Sequence, residues 1–290
     1  MKKPVLIVVG GPTASGKTSL AIALARHFRT EIISGDSRQF YEEMRIGNAR
    51  PSPEELALAT HHFVADRSLR TPLTAGRFAE EALERLEGSF SRNDYAVLVG
   101  GSGLYLRALC EGLDEFPPVP AVVKTRVEAM SHLDLLGEID RLDPAYAAVV
   151  DRDNPRRLQR ALQVCYAAEK PYSSFLGNRP ERPFTCVYLR THPPREYLYE
   201  RINQRVEMML AEGLEAEAKA LAAFQHLPIL QTVGYQEWWP YFAGAYDRNR
   251  AIELVKRNSR RYAKRQVTWF GRGNQYQVAN SLKDALQFIG

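Results

Sequence analysis

The 290-residue chain predicts an α/β fold: a parallel sheet flanked by helices and interrupted by a mostly helical insertion. Three observations carry that prediction. Residues 4–9 (PVLIVV), rich in β-branched side chains, pass through Gly10-Gly11-Pro12-Thr13-Ala14-Ser15-Gly16-Lys17-Thr18 into the helix-compatible run 19–28. Two more short apolar runs, EIISG (31–35) and YAVLV (95–99), each end in a polar or glycine-rich loop, as strands do at the ligand rim of an open α/β sheet. Finally, residues 117–183 hold only helix-like patterns. They open on the break Phe116-Pro117-Pro118-Val119-Pro120 and close at the strand-like FTCVYL (184–189). The expected organisation is a first core part at 1–116, a helical insertion at 117–183 and a second core part at 184–290.

The first element sets the chemistry. Strand, glycine-bounded loop and helix, in that order and with G-x4-G-K-T spacing, distinguish a phosphate-binding loop from a chance match. The core is therefore expected to be P-loop NTPase-like. Gly11 and Gly16 let the backbone of Gly11-Pro12-Thr13-Ala14-Ser15-Gly16 curl so that successive N–H groups of the loop and the new helix point into one concavity. Lys17 adds a point charge, and the Thr18 hydroxyl is placed to ligate Mg²⁺. The ligand is a phosphate ester or pyrophosphate; the loop alone leaves its fate open.

Composition narrows the setting. No apolar run approaches the roughly 18 residues of a membrane span, and Met1-Lys2-Lys3-Pro4 leads into the first strand without a secretory cleavage pattern. A cytoplasmic protein is expected. Cys110, Cys165 and Cys186 are scattered, which argues against a disulfide framework and a zinc site. The net charge of +5 permits a polyanionic partner.

Along the chain, Asp36 follows the second strand and should share a rim with the phosphate loop. There a carboxylate serves as general base, Mg²⁺ ligand or helix cap. Residues 45–51 (RIGNARP) are irregular and basic, consistent with a loop over the site. His61-His62 lacks a second ligand cluster and reads as structural. Residues 74–92 have a helical pattern with Phe78, Ala82, Leu83 and Leu86 on one face. Gly100-Gly101-Ser102-Gly103-Leu104-Tyr105 is either a tight strand-to-helix turn or a loop that brings the Ser102 hydroxyl to a substrate. Arg156, Arg157 and Arg160 begin the last helix of the insertion and suit a solvated face or a phosphate backbone. Residues 195–224 form one long amphipathic stretch carrying Arg201 and Arg205 a turn apart. Trp238, Trp239, Tyr241 and Phe242 read as core. Residues 255–272 (VKRNSRRYAKRQVTWFGR) contain no acidic residue and interleave Tyr262 and Trp269 with seven cations. A nucleic-acid backbone would be matched by such a helix; the bland alternative is a solvated basic face.

Four stretches together resemble one family, the tRNA dimethylallyltransferases (tRNA isopentenyltransferases) of bacterial type. They are the phosphate loop, Asp36-Ser37-x-Gln39 with Ile46-Gly47-x-Ala49-x-Pro51, the loop 100–105, and Val233-Gly234-Tyr235 with AKRQVTW at 263–269. The resemblance implies transfer of a dimethylallyl group from dimethylallyl diphosphate to N6 of the adenine 3′ of a tRNA anticodon. It implies Mg²⁺, a phosphate loop used for the leaving diphosphate rather than for ATP, and no obligate protein partner. It assigns Asp36 as general base, with Ser102 and Arg205 as further catalytic positions, Arg205 stabilising the diphosphate. By the match, Asp36, Ser37, Arg38 and Gln39 hold the flipped base, and Ser102, Lys124 and Gln159-Arg160-Ala161-Leu162-Gln163 lie at other tRNA contacts. Arg261 and Arg265 are the cations of the basic helix expected to meet RNA. Ser102, Asn48 and Arg50 depart from the family's usual threonine, threonine and lysine; the hydroxyl at 102 is kept. A nucleotide kinase or an RNA-dependent NTPase are the alternatives, since both would share the first twenty residues.

Overall fold

Residues 3–289 are described in the computed structural model of the chain. At the amino end β1 (Val5–Gly10) enters the phosphate loop, and α1 (Lys17–Phe28) leaves it. β2 (Ile32–Ser34), α2 (Pro53–Leu58), β3 (His61–His62), α3 (Ala75–Phe90), β4 (Tyr95–Gly100) and α4 (Gly103–Glu111) follow. The chain then divides by its internal contacts. Glu111–Glu181 forms one compact unit, and the residues up to Cys110 and from Arg182 onward form the other.

The Glu111–Glu181 unit contains α5 (Ala121–Glu128), α6 (His132–Leu142), α7 (Pro144–Ala147) and α8 (Pro155–Ala168). Val127, Leu135, Ile139, Leu158 and Leu162, all nearly or fully buried, form its own core. Side-chain caps start α6, α7 and α8: Ser131 and Asp134 make a reciprocal capping box on α6, Asp143 caps α7 and Asn154 caps α8.

The larger unit resumes with β5 (Thr185–Arg190), α9 (Arg195–Ala211), α10 (Leu214–Ala220), α11 (Trp238–Phe242), α12 (Arg248–Phe270), β6 (Gln277–Val278) and α13 (Leu282–Ile289). Its six strands pair in parallel in the order β3-β2-β4-β1-β5-β6. The parallel sheet expected from the sequence is present. β1 and β4 lie inside it and are buried over five of their six residues, which explains their unbroken apolar runs. Ile7, Val9, Leu20, Leu24, Ile32, Val97 and Leu189 close the core between α1 and the sheet.

Register then builds the site. Gly10 lies opposite both Gly100 and Arg190, and Ser34 opposite Val99. Four strands therefore end level, and their following loops share one rim. Two features are not visible in the sequence patterns. The stretch 195–224 is not one helix: Gly213, at φ +101°, breaks it into α9 and α10. The sheet is also wider than the apolar runs indicate, because its edge strands β3 and β6 are two residues each and only partly buried or exposed. Among the described residues, no helix is long and apolar enough to cross a membrane.

Candidate active site

The rim holds a polar cavity of about 230 Å³. Thr13 to Ser19 form its floor; Asp36, Gln39, Arg45, Asn48, Ala49 and Arg50 form one wall, and Arg201, Arg205 and Met209 of α9 another. Gly16 is the N-cap of α1 at φ +90°, a left-handed conformation that glycine adopts without a steric penalty. No side chain caps α1, so the open amides and positive dipole end of the helix face the cavity.

Lys17 is half-buried, and its ammonium lies near the carbonyl of Pro12 at 3.4 Å. Burial lowers its pKa to about 8; Asp36 pulls the other way and Arg205 adds repulsion. Arg205 donates to the Thr13 hydroxyl (3.4 Å), and burial, with Arg201 beside it, holds its pKa below the ordinary value. Crowded cations of this kind are costly to leave without an anion, so the cavity is prepared for a multiply charged one. Thr18, in the first turn of α1, lines the same space. Among the described residues no three His, Cys, Asp or Glu side chains cluster as a metal site. A divalent ion here would take the Thr18 hydroxyl together with phosphate and water oxygens, a shell that suits Mg²⁺.

Asp36 is held by its own turn: its Oδ1 accepts the N–H of Arg38 (3.3 Å) and its carbonyl accepts that of Gln39 (2.9 Å). The segment 36–39 is fixed at every residue. Ser102 Oγ accepts the N–H of Ser37 (3.1 Å) and lies 3.0 Å from its hydroxyl. Arg38 stacks its guanidinium 4.2 Å from the Tyr262 ring centre and donates to the carbonyl of Val233. Gln39 accepts from Ser34 and donates to the Ala49 carbonyl (3.1 Å). The Ser102 hydroxyl is thus engaged in holding the Asp36 loop.

Sequence reasoning missed what holds the loop 45–50. The Glu217 carboxylate, from α10, accepts the N–H groups of Arg45 (2.9 Å), Ile46 (2.8 Å) and Gly47 (3.0 Å), and the hydroxyl of Tyr235 (2.7 Å). Tyr235 is fully buried, and burial beside that carboxylate pushes its phenol well up. A lone glutamate on an amphipathic helix carries no local signal of this role; only the Val233-Gly234-Tyr235 motif pointed to the neighbourhood.

The basic helix α12 is less uniform than its sequence. Lys256 pairs with Glu207 and Arg260 bonds Asn203 (2.6 Å), so those two cations serve the packing of α12 on α9. Arg257, Arg261, Lys264 and Arg265 are exposed. Tyr262, one of the aromatics interleaved among these cations, lies beneath the Arg38 guanidinium, with that of Arg265 5.6 Å from its ring.

In the helical unit, Lys124 and Arg160 are exposed and Gln159 partly so. Ala161 and Leu162, expected at an RNA contact, have no exposed surface and pack in the core of that unit, and Gln163 is 9% exposed. Side-chain contact with RNA is therefore excluded for Ala161 and Leu162 in this conformation. His61 and His62 bond the Ala59 carbonyl and Glu31, the structural role expected of them.

Fold and site together define a P-loop-type group-transfer enzyme. A family model described as IPP transferase matches residues 39–273, most of the chain, and the chain belongs to that family. It is 46% identical over 278 residues to a tRNA dimethylallyltransferase of Flavobacterium johnsoniae, spanning 92% of this chain and 90% of that one. A crystal structure of a full-length tRNA isopentenylpyrophosphate transferase from Bacillus halodurans is 32% identical and covers 96% of this chain and 90% of its own, with a TM-score of 0.71. A eukaryotic dimethylallyltransferase acting on tRNA shares the fold at a TM-score of 0.84, 24% identity, and 96% and 74% coverage.

Proposed function

We propose that this protein transfers the dimethylallyl group of dimethylallyl diphosphate to N6 of the adenine 3′ of the anticodon in tRNA. The observation that carries the reading is the Asp36 carboxylate in the wall of the same cavity whose floor is the phosphate loop and whose far wall holds Arg205. A kinase or NTPase would also use the loop, with a carboxylate there as Mg²⁺ ligand or base; membership of the IPP transferase family is what sets this reading apart.

In this reading the phosphate loop, Lys17 and Arg205 bind the diphosphate and receive its developing charge as the C1–O bond breaks. Mg²⁺ held by the Thr18 hydroxyl and the diphosphate would add charge neutralisation there. The N6 lone pair, weakened by delocalisation into the ring, forms the new bond to C1, and its proton passes to Asp36. The electron pair of the broken bond leaves with the diphosphate. Ser37, Arg38 and Gln39 present the flipped base, and Ser102 acts through Ser37 to hold them. Exposed Arg261 and Arg265 on α12, with Lys124, Gln159 and Arg160 in the helical unit, take the RNA backbone.

The test is incubation of the purified protein with Mg²⁺, unmodified tRNA and labelled dimethylallyl diphosphate, with ATP replacing the donor in a parallel tube. Label on an anticodon-loop adenine, abolished by Lys17→Ala, supports the reading. No label, with ATP turnover stimulated by RNA, overturns it.

A further inference from the structure

Helix α12 buries one long polar side chain in the rim of the sheet. Gln266 is 5% exposed, between Ala263 and Phe270 on the inward face of the helix. Its Oε1 accepts the N–H of Thr13 in the phosphate loop (2.9 Å), and its Nε2 donates to the carbonyl of Gly101 in the loop after β4 (3.0 Å). The orientation of the amide is dictated by its partners. A flipped amide would set donor against donor and acceptor against acceptor. Gly101 fits this contact closely: a Cβ there would collide with Gln266 Nε2 and come within 3.3 Å of Asp36 Oδ2.

Each partner leads directly to one side of the reaction. Thr13 receives Arg205 on its hydroxyl and lines the cavity floor, so it belongs to the diphosphate cradle. Gly101 is followed by Ser102, whose hydroxyl accepts the Ser37 N–H next to Asp36. A single neutral amide, one acceptor and one donor, thus spans from the anion side to the carboxylate side.

We propose that Gln266 is a positioning residue that sets the spacing between the diphosphate cradle and the loop holding the acceptor base. It acts through Thr13 and Gly101 and touches neither substrate. This rests on the transferase reading. In-line transfer between two separately bound molecules depends on the distance from C1 to N6, and a shift of the order of 1 Å costs about 100-fold in rate. Binding of each substrate alone does not depend on that distance.

The test separates rate from binding. Gln266→Met keeps the length and apolar packing of the side chain but removes both bonds. The expected result is a kcat lower by about 30- to 100-fold, with KM for donor and tRNA, and the Kd of inorganic diphosphate, within about threefold of wild type. Gln266→Glu keeps the acceptor for Thr13 and meets the Gly101 carbonyl as a carboxylate, regaining a donor only when protonated. Its kcat, divided by that of wild type at each pH, should rise as pH falls; the division removes pH effects common to both enzymes. A purely structural glutamine would give losses in kcat and binding together and a ratio that is flat with pH, and that result overturns the proposal. So does a Gln266→Met kcat within threefold of wild type. If Gln266→Met does not fold, the pH ratio of Gln266→Glu decides. A wild-type enzyme that transfers no label overturns the transferase reading and this proposal with it; an active wild type with unaffected variants overturns this proposal alone.

Discussion

Glu217→Gln removes the charge that ties three backbone N–H groups and a buried phenol to one point. The wild-type carboxylate accepts from Arg45, Ile46, Gly47 and Tyr235 at 2.7–3.0 Å. Hydrogen bonds to a charged acceptor contribute about 1.5–3 kcal/mol each, neutral ones about 1. The variant keeps one oxygen and turns an NH2 group toward at least one donor. The net loss works out at about 3 kcal/mol, equivalent to a fall in melting temperature of about 5–10 °C. Thermal unfolding by circular dichroism reads it directly. Tyr235→Phe deletes one bond to that carboxylate and should cost about 1.5–3 kcal/mol. The double variant should cost less than the sum, since both changes act on one network. Because Asn48, Ala49 and Arg50 line the cavity from this loop, inorganic diphosphate should also bind less tightly to Glu217→Gln. A melting temperature within 1 °C of wild type, with full additivity in the double variant, would refute the clamp.

Three further outcomes follow from the same geometry. Lys17 has its pKa lowered to about 8 in the folded protein from 10.5, chiefly by burial, so between those values the unfolded chain holds the extra proton. Stability of the metal- and ligand-free protein should therefore rise with pH across that window. Lys17→Met should flatten that rise and be more stable than wild type at pH 7, as urea titrations at several pH values would show. Neutralising Arg261 and Arg265, both exposed on α12, should weaken tRNA binding and lower the slope of log K against log salt by roughly 2; an unchanged slope returns that face to solvent. Arg260→Ala, whose guanidinium bonds Asn203 on α9, should instead leave the slope unchanged and lower stability by about 1 kcal/mol.

Most of the core was legible because its signals are local. The phosphate loop, the apolar runs of β1 and β4 and the proline break before α5 each state their structure within about ten residues. β3 and β6 were not, since two-residue edge strands leave no periodicity to read. Asp36 could be placed on the rim because it follows the carboxyl end of a strand, and it lines the same cavity as the phosphate loop. What makes it usable is dispersed: Ser102, Asn48, Glu217, Tyr235 and Gln266 hold the surrounding loops across separations of 10 to more than 200 residues. Side-chain-to-backbone bonds at such distances have no signature along the chain. The stretch 159–163 shows the converse limit. Its residues are contiguous in sequence, yet a helix turns Ala161 and Leu162 inward and Arg160 outward.

The central claim is that one cavity holds both the leaving diphosphate and the carboxylate that takes the acceptor's proton. Single-turnover transfer by Asp36→Asn, measured beside its affinities for tRNA and for diphosphate, tests it most directly. The substitution keeps the size of the side chain and the oxygen that accepts the Arg38 N–H. The account predicts transfer slower by about 100- to 10,000-fold, with both affinities within about threefold of wild type. Transfer at the wild-type rate would contradict it.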